Sequence, residues 1–180
     1  MANTQINLQN VVLSFPHLFA TRTVDGGKPK YSAALLIPKS DTATIKAIND
    51  AVEAAKKTKW GANVPNLKPT PLRDGLDATV NGRAPIASEA DYMVLSSSNH
   101  QKPAVVGRDG HVSMEQDLFY AGAIVNARIS VYAYNGDMSK GIAFGLEGVQ
   151  FSRDAARLDS RPDPSAMFGA ISDDDQDMLG

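Results

Sequence analysis

The sequence contains no cysteine among its 180 residues. That absence excludes disulfide scaffolds, thiolate zinc sites and cysteine nucleophiles together, and it suits a reducing compartment such as the cytosol. Long apolar runs are also missing: the longest, Ala33 to Ile37, is far too short to span a bilayer. The opening MANTQINLQN has no basic segment followed by an apolar run, so neither secretion nor membrane insertion is expected. No base follows Arg161. Residues 1–161 hold all 18 Lys and Arg against 15 acids, a balance of +3, whereas residues 162–180 hold five acids and no base, a balance of −5. An acidic tail on a mildly basic body points to an anionic partner, with the tail competing for the same surface or recruiting another molecule; solubility alone is its plainer use.

What the chain does have is enough apolar material, 43% of its residues, to bury one domain of ordinary size. Leu8 to Phe15 is extended in character and Pro16, which cannot donate to a sheet ladder, is expected to close that strand. Asp25-Gly26-Gly27 is a turn signal, and Lys30 to Ile37 alternates with Tyr31, Ala33, Leu35 and Ile37 on one face, so the two strands form a hairpin. After Ser40 or Asp41 as cap, Ile45, Ile48, Val52 and Ala55 recur at helical spacing, with Glu53 four residues before Lys57, which predicts a helix over about 41–59 ending at Trp60-Gly61. Residues 61–91 carry four prolines and three glycines and read as a long irregular connection. Tyr92 to Ser96 and Pro103 to Val106 are short strands. From Ala123 to Tyr134 the odd positions are small and apolar, while Asn126, Arg128, Ser130, Tyr132 and Tyr134 share the other face. Gly141 to Phe151 returns after an Asn135-Gly136 turn, its glycines marking bulges or bends. The expected fold is mainly β, a five-stranded OB-type barrel with one inserted helix. Residues 1–157 form the domain, and residues 158–180 form a flexible, disordered acidic tail.

Enzymatic machinery is not legible. His17, His100 and His111 have no ligand spacing, Gly141, Gly145 and Gly148 miss the dinucleotide fingerprint, and no phosphate-cradling loop is present. Asp173, Asp174, Asp175 and Asp177 lie in a tail too floppy to hold a catalytic metal. No catalysis, cofactor or metal is therefore expected.

Nucleic acid is the better match, because sequence-independent binding of single strands needs cations for phosphates and aromatic faces for bases. Arg128, Tyr132 and Tyr134 supply both on one strand face; such a row could equally cover a helix or a subunit interface. Lys28 and Lys30 flank the hairpin that borders the binding face of an OB barrel, though lysines also guard strand edges. Trp60, beside three lysines, reads as a lid over the core or as a stacking residue. Arg73 in the long connection can reach a phosphate, and Tyr92 is a further stacking candidate.

Taken together, VVLSFPHLF (11–19), KYSAALLIPK (30–39), PLRDG (71–75), VYAYN (131–135), KGIAFGLEGVQF (140–151) and the acidic tail resemble the tailed-phage single-stranded-DNA-binding proteins, a family long catalogued as a domain of unknown function. The resemblance implies an OB barrel in the host bacterial cytoplasm that coats single-stranded DNA with little sequence preference during replication or recombination. It also implies a tail that restrains DNA binding and recruits replication or recombination proteins. Many such tails end in an aromatic residue; this one ends Met178-Leu179-Gly180, with Leu179 as a candidate apolar tip. Weak duplex binding fits the electrostatics as well. A non-catalytic protein-interaction module using the same aromatic face is the alternative.

Overall fold

The computed structural model describes residues 4–23, 27–68, 70–76, 91–158 and 171. Its elements are β1 (Thr4–Arg22), β2 (Lys30–Pro38), α1 (Thr42–Trp60), β3 (Leu72–Asp74), β4 (Tyr92–Asn99), β5 (Ala104–Val106), β6 (Ile124–Asn135) and β7 (Lys140–Arg153). Hydrogen bonding orders the strands β3-β4-β2-β1-β6-β7-β5. A parallel contact, Ser98 to Gly145, joins β4 to β7 and closes β1, β2, β4, β6 and β7 into the expected five-stranded OB-type barrel. β3 and β5 lengthen the rims of the barrel. β3 lies within the stretch expected to be irregular: Leu72 to Asp74 borrow β4 as a partner, a long-range pairing that three residues of local sequence cannot announce.

The odd positions of β6 face inward as their alternation demands, and Val125, Ala127, Ile129 and Val131 are all buried. They meet Leu13, Leu35, Leu95, Phe144 and Leu146 in one core. In α1, Ile48, Ala51, Val52 and Ala55 face that core from one end of the barrel. Asp41 is the cap: its carboxylate accepts from the Thr44 backbone N–H at 3.3 Å and from the Thr44 hydroxyl at 2.8 Å. The Gly61 N–H closes the helix on the Lys57 carbonyl. Glu53 pairs with Lys56 at 3.1 Å rather than with Lys57, since i,i+3 neighbours also share a helix face.

β1 corrects the expectation at Pro16. The strand runs through to Arg22 because the ladder to β2 skips from Ser14↔Ala34 to His17↔Ser32, so Pro16 sits in a bulge where no N–H is required. Phe15 beside it has φ 44°, a left-handed backbone that a bulky residue seldom adopts, and Asn10, in a bulge where the ladder to β6 skips from Leu8↔Ala127 to Val11↔Val125, has φ 55°. Leu36 and Val12 are buried on the outer side of the sheet, where they form a second small cluster with Val94. After β7 the chain is strapped to the turn before β6. The Leu158 N–H donates to the Ala121 carbonyl at 2.9 Å, the Tyr120 hydroxyl bonds Asp154 and Ala155, and the Arg157 guanidinium lies 4.8 Å from the Tyr120 ring centre.

Candidate nucleic-acid interface

On the outer side of the barrel, β4 presents Ser96 and Ser98 to solvent, while the intervening Ser97 turns its hydroxyl to the Ala33 carbonyl at 2.9 Å. Around this hydroxyl-lined strand lie three adjoining cavities with common walls. Arg22, Ser32 and Ser96 line both of the first two, and Lys30, Ser98 and His100 carry the second into the third. The result is one open trough crossing the ends of β1 and β2, the length of β4, and β6 with β7. At one end stand Phe15, His17 and Arg73; Lys28 rims the middle; Tyr132, Gly145 and Glu147 form the other end. Among the described lining residues Glu147 is the one acid, against four permanent cations, Arg22, Lys28, Lys30 and Arg73.

Local structure explains each placement. Arg22 is opposite Lys30 in the ladder, so the last pair of the hairpin puts two cations side by side. Arg73 is opposite Val94 and reaches the trough only because β3 adds to β4. Phe15, 45% exposed, is turned out by its bulge. Tyr132 and Tyr134 point outward from β6 across β7, and β7 admits them through glycine: a Cβ on Gly141 would stand 2.7 Å from the Tyr134 hydroxyl, and one on Gly145 would collide with the Ser130 hydroxyl. Gly141 and Gly145 thus make room for neighbours, while Gly148 does mark a bulge, the ladder skipping Glu147 between Ile129↔Leu146 and Arg128↔Gly148. Burial, then Glu147 and Tyr134, raise the Tyr132 phenol above its ordinary value, so the ring is uncharged and suited to stacking. Burial first and Arg22 second hold the His17 imidazole below its ordinary 6.5, leaving it neutral at pH 7. His100 Nδ1 lies 3.3 Å from the Pro29 carbonyl.

Of the residues singled out from sequence, Lys28, Lys30, Arg73 and Tyr132 meet in this trough. Tyr134 lies beside Tyr132 over Gly141. Tyr92 shares the outward face of β4 but packs on the Val12–Leu36–Val94 cluster beyond the Arg73 end. Arg128 occupies a different cavity and donates to the Gln5 side chain. Trp60 packs against the main core at the end of α1. Asp173, Asp174, Asp175, Asp177, Met178 and Leu179 lie outside the described residues. Sequence alone missed Phe15, Arg22, Ser96 and Ser98; the serine run 96–98 was the one visible signal. Among the described residues no three His, Asp or Glu side chains gather as metal ligands, and no helix is long and apolar enough to cross a membrane.

A cationic, hydroxyl-lined trough with rings at both ends on an OB-type barrel defines the class of open nucleic-acid-binding barrels. The chain belongs to the family described as Enterobacter phage Enc34, ssDNA-binding protein, which it matches over residues 4–179. It is 37% identical over 163 residues to "Putative protein p50" of Acyrthosiphon pisum secondary endosymbiont phage 1, covering 83% of this chain and 84% of that one. Its fold is similar to that of the single-stranded DNA-binding protein from bacteriophage Enc34 in complex with ssDNA (TM-score 0.74, 26% identity, 86% of this chain and 89% of that one). The fold alone is similar to that of gp2.5, a single-stranded DNA binding protein encoded by bacteriophage T7 (TM-score 0.59, 16% identity, 91% and 99% covered).

Proposed function

We propose that this protein is a non-catalytic single-stranded-DNA-binding protein that coats and protects ssDNA in the bacterial host cytoplasm during phage replication or recombination. The observation that carries this reading is the trough, which gathers Arg22, Lys28, Lys30 and Arg73, cations of the kind that meet phosphates, with Phe15 and Tyr132, rings of the kind that stack on bases. Serine hydroxyls between them add sequence-blind phosphate contacts. Membership of a family described by ssDNA binding supports the same reading.

Residues 1–157 serve as the binding domain and 158–180 as the tail. The tail's five acids after residue 162, facing a body of net charge +3, compete with DNA for the trough and recruit replication or recombination proteins through Met178 and Leu179. Deleting residues 162–180 then tightens ssDNA binding, most at low salt, where screening is weakest. The primary test is fluorescence anisotropy of a labelled single strand and of the matching duplex over a salt series. The expected result is tight single-strand and weak duplex binding. No binding by either the full or the tail-less chain at low salt refutes the reading and leaves a protein-interaction module in its place.

A further inference from the structure

Resting on the ssDNA reading of the trough, we infer that the strand continues past Tyr132 into a second, amide-lined subsite around Arg128. The outward face of β6 runs from Tyr132 through Ser130 to Arg128 and Asn126. At about 3.3 Å per residue, Arg128 lies about 13 Å beyond Tyr132, a reach of about four stacked nucleotides and fewer extended ones. β7 opposes this row with glycine twice, Gly145 facing Ser130 and Gly148 facing Arg128, while Glu147, in the bulge between Leu146 and Gly148, puts a carboxylate along the way.

Beyond that stretch is a cavity of 290 Å³, lined by Asn7, Gln9, Asn126, Arg128 and Gln150. No acid borders it. Its amides are held in a fixed chain: the Asn10 N–H donates to Asn126 Oδ1 at 3.1 Å, Asn126 Nδ2 donates to Gln150 Oε1 at 3.3 Å, and Gln150 Nε2 donates to the Gly107 carbonyl at 3.2 Å. Each amide NH2 keeps a second N–H, and the Arg128 guanidinium, with one contact to Gln5, keeps most of its five. A donor-rich, acid-free cavity suits a ligand made of acceptors, and a phosphodiester with its base edges is such a ligand. The left-handed Asn10, whose N–H anchors the chain, gives the β1 bulge a purpose: it brings the backbone to Asn126.

The test uses the full chain and oligothymidylates of 4 to 16 nucleotides, a range that spans the footprints of OB folds. Arg128→Gln, at an exposed position, and the double variant Arg128→Gln with Asn126→Ala are compared with the parent, with melting curves to check the fold. The variants should match the parent on the shortest strands that bind. On the longest they should bind at least about 3-fold more weakly at 0.2 M salt, with the log–log salt slope reduced by about 0.7, the share of one phosphate. Variants that track the parent at every length overturn the inference while leaving the trough intact. A parent that binds no oligonucleotide overturns the ssDNA reading itself. A variant defect confined to self-association, with DNA binding unchanged, also overturns the inference and assigns the cavity to a carboxylate-bearing protein segment.

Discussion

Neutralising three trough cations, Arg22→Gln, Lys28→Gln and Lys30→Gln in one chain, gives the prediction with the firmest arithmetic. All three are exposed at the end of the β1–β2 hairpin, so the barrel core is untouched and its stability should hold. If each cation neutralises one phosphate, each contributes about 0.7 to the log–log salt slope of single-strand binding, and the triple variant loses about 2. The same relation makes each contact worth about 3-fold in affinity at 0.2 M salt and about 8-fold at 0.05 M, so the three together cost about 30-fold and about 500-fold respectively. Anisotropy titrations of a labelled thymidylate strand at five or six salt concentrations measure both slope and affinity. An unchanged slope with a weakened intercept would mean that these cations act on the protein rather than on phosphates, and the reasoning would fail.

Further expectations concern single side chains. Tyr132→Ala should weaken ssDNA binding by about 1 to 3 kcal/mol, the value of a stacked base, without lowering the melting temperature, whereas Trp60→Ala should cost about 2 kcal/mol of stability and leave binding unchanged, as titration and thermal melts of both variants will show. His17 is held neutral by burial and Arg22, and a phosphate in the trough favours its charged form; binding should therefore take up a proton and tighten as pH falls from about 8 to about 6, a trend His17→Ala flattens. The same lowered pKa means the folded state binds fewer protons than the unfolded one, so His17 stabilises the fold above its ordinary 6.5 and that contribution is lost as pH falls below it. Gly145→Val forces a side chain onto Ser130 Oγ beside the closure of the barrel and should cost about 1 to 3 kcal/mol in a denaturant melt.

Most of the barrel was legible because its signals are local. The alternation of β6, the helical spacing of Ile48 and Val52, and Gly61 after Trp60 are each set within a dozen residues. Pro16 misled because a bulge removes the need for its missing N–H, and a bulge is decided by register with β2, not by β1 alone. β3 was invisible because its partner lies about 20 residues further along the chain. The site follows the same division. Lys28, Lys30 and Tyr132 announced themselves by charge and parity, whereas Arg22 and Phe15 gained their places from strand pairing and a left-handed backbone. Arg128 shares the parity of Tyr132 yet opens onto another cavity, since a 12-residue strand is longer than one site.

The central claim, that a single strand lies in the trough beside β4, is tested most directly by photo-crosslinking the full chain to a strand carrying 5-iododeoxyuridine and mapping the adducts by mass spectrometry. The account predicts adducts on Phe15, His100 and Tyr132, which line the trough, and none on Trp60, which faces the core from the helix end. Adducts on Trp60 or elsewhere along α1, with Phe15 and Tyr132 unmodified, would contradict it.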